Sequence, residues 1–275
     1  MKQHLANLRL LLRPEAILSM AVGGMLFSLF VVALIHHRQV PVSVVIEQQL
    51  EPIVVFPDFA SIADVDVKKQ MFFDFVEIYV NEQNLKVKRR RDQLMALSDI
   101  AADGAPLSVG ERIDLLKLAD RYDLAIEEMH ESEIIFELFK RVDTIPVSLA
   151  LAQAATESAW GTSRFAVEAN NIFGQWCYDK GCGVVPKRRD SNASHEVRRF
   201  DSIEAAISSY FLNLNTHNRY EKFRNMRFQM RNQRGEIDPL VLAYGLIGYS
   251  ERGDSYVDEV QTIIQQNDLI NRYKI

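Results

Sequence analysis

Hydrophobic and polar positions divide the chain into stretches of different period. Residues 16–35 form an uncharged run, apolar all round and long enough to cross a bilayer as one helix. Lys2, Arg9 and Arg13 precede it, and only Arg38 and the His36-His37 pair follow closely. The positive-inside bias then puts residues 1–15 in the cytoplasm and everything beyond Arg38 outside it. The run exceeds the ~7–15-residue apolar core of a signal peptide and ends without a small-x-small cleavage site, so it reads as a single-pass anchor. Residues 39–58 mix Val and Ile with Pro41, Pro52 and Pro57, which predicts an extended tether over 36–63 with no fold of its own.

From Asp64 the period becomes helical. Val67, Met71, Phe75, Ile78 and Tyr79 fall on one face with Lys, Asp and Glu between them, predicting a long amphipathic helix. It runs into the basic cluster Lys86 to Arg91, which reads first as a solvated face. Gly104-Ala105-Pro106 breaks this helix. Ser108 and Glu111 form a capping box for the next, which carries Ile113, Leu115, Leu116 and Leu118 to about Arg121. A further helix is predicted from Glu128 to Phe139, with Ile134, Ile135, Leu138 and Phe139 clustered. Residues 64–141 thus make a helical accessory region. Pro146 opens a segment apolar on nearly every side, expected to continue until Gly161 stops it as a buried central helix. Asp201 and Glu204 suggest another capping box before Ala205, Ile207, Tyr210 and Phe211, a mostly core helix expected to pack against the central one.

Composition narrows the class. The 275 residues are 48% hydrophobic and 25% charged, with a net charge of −5. That is globular, with room for a sizeable core, and it lacks the cationic surplus that nucleic acid binding requires. The two cysteines, Cys177 and Cys182, are outside the cytoplasm on this reading, where a short disulfide loop is the default. Zinc would need two more ligands, and His195 alone is too few. His195-Glu196-Val197-Arg198-Arg199 has Arg199 where a zinc-protease helix requires its second histidine. No metal or cofactor is called for.

The candidate chemistry lies at the end of the central helix. Glu157, in Ala155-Thr156-Glu157-Ser158-Ala159-Trp160-Gly161, faces the negative end of the helix dipole beside an apolar Trp160. Both disfavour its charged form, so its pKa should be raised, as a general acid for glycoside hydrolysis requires. The plainer alternative pairs Glu157 with Arg164 as a surface ion pair.

The string from Ala152 to Ser163, with Asn170-Asn171-Ile172-Phe173-Gly174, resembles the glucosaminidase domain of glycoside hydrolase family 73, and within it the Bax-type bacterial proteins. The similarity continues through Trp176-Cys177, Cys182-Gly183-Val184-Val185-Pro186, His195-Glu196-Val197 and Asn213 to His217, placing the domain at 142–271. The resemblance implies a mainly α, lysozyme-like helical fold with a small β-hairpin beside the cleft, and Glu157 as the general acid. It further implies a peptidoglycan hydrolase cleaving after N-acetylglucosamine, held by its anchor in the inner membrane with the catalytic domain in the periplasm.

A second carboxylate usually activates water or stabilises the oxocarbenium-like transition state. Glu196 and Asp190 are the candidates, Glu196 ahead because it lies within the similar segment; either is equally a surface charge paired with Lys187, Arg188 or Arg198. Without one, the substrate's acetamido group takes the role. Trp176, Tyr178, Tyr249 and Tyr256, with Asn171, are the candidate sugar-contacting residues; Gly248-Tyr249-Ser250 and Tyr256 resemble the family's C-terminal tyrosine motif. A lytic transglycosylase shares the acid but typically carries a Gly-Leu-Met-Gln-like string that Phe173-Gly174-Gln175 does not supply. A non-catalytic wall-binding scaffold is the other alternative.

Overall fold

The computed structural model describes residues 56–272 apart from 188, 190 and 191. The anchor expected at 16–35, the tether up to residue 55 and Asp190 lie outside the described residues. Among these residues no helix is long and apolar enough to cross a membrane.

Asp64 caps α1 (Val65–Ala102), its carboxylate accepting from the N–H groups of Asp66 and Val67 at 2.9 and 3.0 Å. Of the face that spacing picked out, Tyr79 is buried and Phe75 packs against the core, but the other three positions are not sealed. Val67, Met71 and Ile78 are about half exposed, whereas Phe72, Phe73, Val76 and Val80 are sealed. Two apolar stripes lie side by side on this helix. The one carrying the adjacent aromatics is covered, because Phe72 and Phe73 meet Trp160 edge-on at 6.1 and 5.1 Å.

The capping box of α2 (Val109–Arg121) forms as expected. The Ser108 hydroxyl accepts from Glu111 N–H at 3.3 Å, and the Glu111 carboxylate accepts from Ser108 N–H at 2.7 Å. α3 (Glu131–Arg141) starts three residues later than the pattern suggested, since Glu128 is left-handed at φ 66° and cannot belong to a right-handed helix. Leu94 and Leu97 of α1 form one core with Leu115, Leu118, Ile134, Ile135 and Leu138 of these helices. The N-terminal half of α1 belongs to a second core with the remaining elements. Asn84 fastens it there, donating to the Ile145 carbonyl at 2.8 Å and accepting from the Ile145 N–H at 2.9 Å.

α4 (Val147–Ser158) is the central helix, flanked by α1 and by α9 (Asp254–Gln266). It ends three residues before Gly161. Ala159, Trp160 and Gly161 are all left-handed, at φ 49, 58 and 76°. The Ser158 side chain closes the end by donating to Ala154 O at 2.6 Å and accepting from Gly161 N–H at 2.8 Å. Glycine is required at 161 because a Cβ there would lie 2.6 Å from the Phe59 ring and 2.9 Å from Phe56. These two phenylalanines, expected in a foldless tether, are 2% and 7% exposed and belong to the core. A 3-10 turn at Phe59–Ser61, capped by Asp58, delivers them.

After α5 (Arg164–Ala169) the expected hairpin is a three-stranded antiparallel sheet. Its strands are β1 (Trp176–Cys177), β2 (Gly183–Val184) and β3 (Glu196–Arg198), in the order β1-β3-β2. Trp176 pairs with Val197, Cys177 with Glu196, and Gly183 with Arg198. Cys177 and Cys182 are joined as a disulfide across the β1–β2 turn. α6 (Ile203–Thr216) begins one residue later than expected: Ser202, not Asp201, is the cap, accepting from Ala205 N–H at 3.1 Å. It packs mainly on α1 and on α7 (Glu221–Arg234), reaching the central helix through Tyr210. The chain continues through α8 (Pro239–Ala243) and a 3-10 turn at Tyr244–Leu246, then α9 and α10 (Leu269–Arg272).

Candidate active site

Glu157 occupies the last turn of α4, where the helix's unsatisfied carbonyls oppose its negative charge. Burial pushes its pKa up to about 7, against a hydrogen bond from Tyr256 and the charge of Arg252, both of which lower it, and the charge of Glu259, which raises it. The carboxyl is therefore about half protonated near neutrality and largely protonated a unit below it. Arg164 does not pair with it; that side chain donates to the Val185 carbonyl at 2.9 Å and lies over the Phe165 ring. Trp160, expected as the apolar cover, turns instead to Phe72 and Phe73.

Gly174 lies against the carboxyl. It is left-handed at φ 64°, and a Cβ on it would stand 2.9 Å from Glu157 Oε2. The loop holding it is braced by Asn171, which donates to Gln175 O and Arg198 O at 2.8 Å each and accepts from Gln175 N–H at 3.0 Å. Gly174→Ala should displace the carboxyl and strain the backbone, lowering kcat by about tenfold to a hundredfold. Steady-state kinetics beside a thermal melt check this; unchanged kcat would mean the glycine is there for the turn alone.

Behind Glu157 lies a tyrosine layer. Tyr249 and Tyr256 stack at 5.5 Å with rings 2° from parallel, and the Tyr249 hydroxyl donates to Phe173 O at 2.7 Å. Tyr256 and Asn171, expected to touch sugar, have no exposed surface. Their roles here are internal: Tyr256 presents its hydroxyl to Glu157, and Asn171 holds a loop. Tyr249 is part-buried against the same core. Trp176 and Tyr178 are open, at 51% and 69% exposure, and Trp176 stacks on His195 at 4.1 Å. One Trp176 face is thus covered, and the sheet offers an aromatic surface that His195 extends.

Glu196 is covered, at 5% exposure, and its two oxygens accept from the N–H groups of Gly181 and Gly183 at 3.0 and 2.9 Å. Those two bonds hold its pKa below the usual carboxylate value. Desolvation, which raises it, is the smaller effect. Among the described residues no group of three or more His, Cys, Asp and Glu is placed to hold a metal ion. Cavities of about 730 and 450 Å³ also occur, the first beside Arg91, Asp143 and Arg231, the second beside Met129 and Phe136; Glu157 lines neither. It is the perturbed carboxyl, not cavity size, that singles out this site.

Sequence reading passed over Gln153 and Tyr210. Gln153 is the one long polar side chain within Val147–Ala155, and it stands four residues before Glu157, on the same helix face. That spacing was the available signal.

A partly buried carboxyl able to release a proton near neutrality, between a helix end and the Gly174 loop, is suited to acid catalysis. The chain belongs to the glucosaminidase family: the family model described as mannosyl-glycoprotein endo-β-N-acetylglucosaminidase matches residues 132–269. Among characterised relatives, it is 32% identical to Protein bax of Escherichia coli (strain K12) over 214 residues, covering 77% of this chain and 74% of that one. It is 25% identical to the exo-glucosaminidase LytG of Bacillus subtilis (strain 168) over 161 residues, covering 52% of this chain and 54% of that one. No solved structure matches the chain.

Proposed function

We propose that this protein is a peptidoglycan hydrolase that cleaves the β-1,4 bond after N-acetylglucosamine, with Glu157 as general acid, in a lysozyme-like domain. The observation that carries this reading is the Glu157 carboxyl, raised to about 7 by burial at the end of α4. Protonated below that pH, it delivers its proton to the glycosidic oxygen as the bond to the sugar's C1 breaks. Family membership and the exo-glucosaminidase among the relatives support the sugar specificity. Trp176 and Tyr178 supply exposed aromatic faces for the glycan. The apolar run at 16–35 and its basic flank support an inner-membrane anchor with this domain in the periplasm.

Mass spectrometry of muropeptides released by the purified protein tests the bond. Reducing-end N-acetylglucosamine supports the proposal; reducing-end N-acetylmuramic acid or anhydro ends overturn it, the latter in favour of a lytic transglycosylase.

Glu196 is assigned here to the sheet rather than to the reaction, because both its oxygens are occupied by backbone N–H groups. Glu196→Gln should lower the melting temperature while leaving kcat within about threefold, as expected of a group outside the reacting centre. Asp190→Asn then identifies the second group. A loss of about a hundredfold or more assigns it to Asp190, and retained activity assigns it to the substrate's acetamido oxygen.

A further inference from the structure

Tyr210 lies in the middle of α6, fully buried, with its ring stacked on Phe173 at 3.8 Å. Its hydroxyl donates to Gln153 Oε1 at 2.6 Å, and Gln153 Nε2 donates to the Tyr256 hydroxyl oxygen at 2.9 Å. Gln153 and Tyr256 are likewise fully buried, and the Tyr256 hydroxyl lies close enough to the Glu157 carboxyl to lower its pKa. Burial pushes the pKa values of both tyrosines well up, so each phenol keeps its proton at any working pH.

A phenol has a single proton to donate, and an amide has one accepting and one donating end. With the Tyr210 proton on Gln153 Oε1, the amide must show its NH2 to Tyr256. The Tyr256 oxygen then receives a bond, and its own proton is left for Glu157. Reversing the amide would turn NH2 towards Tyr210 and strand the Tyr210 proton, which has no other acceptor among the described residues. A stranded donor in a dry interior is strongly disfavoured, so the order of bonds is fixed in one direction.

We propose that Tyr210 and Gln153 are positioning residues that make Tyr256 a permanent donor to Glu157, so that the acid proton of Glu157 resides on the oxygen Tyr256 does not bond. The transferable proton is thereby confined to one side of the carboxyl. This rests on the reading of Glu157 as the general acid. The other titratable groups facing Glu157 are Arg252 and Glu259, from α9 and the turn before it, together with Tyr220 and Tyr249. All four remain in place in the variants below.

The test is a carbon-13 NMR titration of Glu157 in the full protein, its signal assigned by its loss in Glu157→Gln, with circular dichroism to verify the fold. Tyr256→Phe removes the donor directly and should raise the Glu157 midpoint by about half a unit to one unit. Tyr210→Phe, whose lost hydroxyl does not touch Glu157, should raise it in the same direction, and the double variant no further than Tyr256→Phe alone. Gln153→Met removes the competing acceptor and leaves Tyr256 just Glu157 to donate to, so it should hold the midpoint near the wild-type value and supplies a second reading should Tyr210→Phe fold poorly. A midpoint unmoved in Tyr210→Phe while it moves in Tyr256→Phe, or one that rises in Gln153→Met as far as in Tyr256→Phe, overturns the proposal. The titration needs no substrate, so it stands apart from the functional reading, which fails separately if Glu157→Gln remains active.

Discussion

Glu157→Gln should abolish wall-degrading activity while making the folded protein more stable above neutral pH. The first half follows from chemistry: glutamine keeps the shape but has no proton to give, and loss of a general acid costs about 10²- to 10⁴-fold. The second follows from linkage. The folded-state pKa of Glu157 is about 7 against an ordinary 4.5, so this group's contribution to stability is fully present below pH 4.5. It is lost as pH rises through 7, because the unfolded chain ionises freely and the folded one does not. At pH 8 the folded protein carries an ill-solvated charge whose removal is worth about 2–3 kcal/mol. Denaturant melts of wild type and variant at pH 4 and pH 8 should therefore differ little at the lower pH and favour the variant at the higher. The wild-type activity itself should fall as pH rises through about 7. Equal stability at pH 8, or undiminished clearing of peptidoglycan by Glu157→Gln, would remove Glu157 from the role of acid.

What was legible in the sequence was what local pattern determines. The Ser108–Glu111 capping box, the apolar helix ending near Glu157, the raised carboxyl pKa and the Cys177–Cys182 pair each depend on neighbours in the chain, and each is present. What failed depended on distant partners. On α1 the spacing indicates an apolar face, but two stripes compete, and the arrival of distant partners such as Trp160 and Phe59 covers Phe72 and Phe73 rather than Met71 and Ile78. Phe56 and Phe59 look like tether residues until Gly161 leaves room for their rings. Tyr256 reads as a sugar platform, but its ring is fully buried and only its hydroxyl is turned to Glu157, a placement that depends on Tyr249 and Gln153. Glu196 reads as a second catalytic carboxylate or a paired surface charge, because the Gly181 and Gly183 N–H groups that bind it leave no trace in composition.

Asp143→Ala should destabilise the fold by about 3–5 kcal/mol without altering the Glu157 titration. The Asp143 carboxylate is 1% exposed, in the link between α3 and α4, and holds Arg231 by two bonds of 2.8 Å. Arg91 and Arg227 approach it at 3.6 and 3.8 Å. Arg227 is itself fully buried, with its Nε lacking a hydrogen-bond partner and its pKa pushed down to about 10 by burial. Backbone carbonyls at the end of α3 and in the following link take up much of the guanidinium hydrogen bonding: Arg91 donates to Phe139 O and Val142 O, and Arg227 to Lys140 O, Asp143 O and Thr144 O. Those carbonyls supply partial charge only, so among the described residues Asp143 is the carboxylate that all three guanidiniums approach. Deleting it leaves buried cations repelling one another where α1, α3 and α7 meet, which is more costly than losing an ordinary ion pair. The site is at the opposite end of α4 from Glu157, about 15 Å along the helix axis, far enough for the two effects to be independent. A urea melt of Asp143→Ala checks the loss. Double replacement with Arg231→Met removes a cation as well as the anion and should recover part of the stability; if the double variant is no more stable than Asp143→Ala, stranded charge is not the cause.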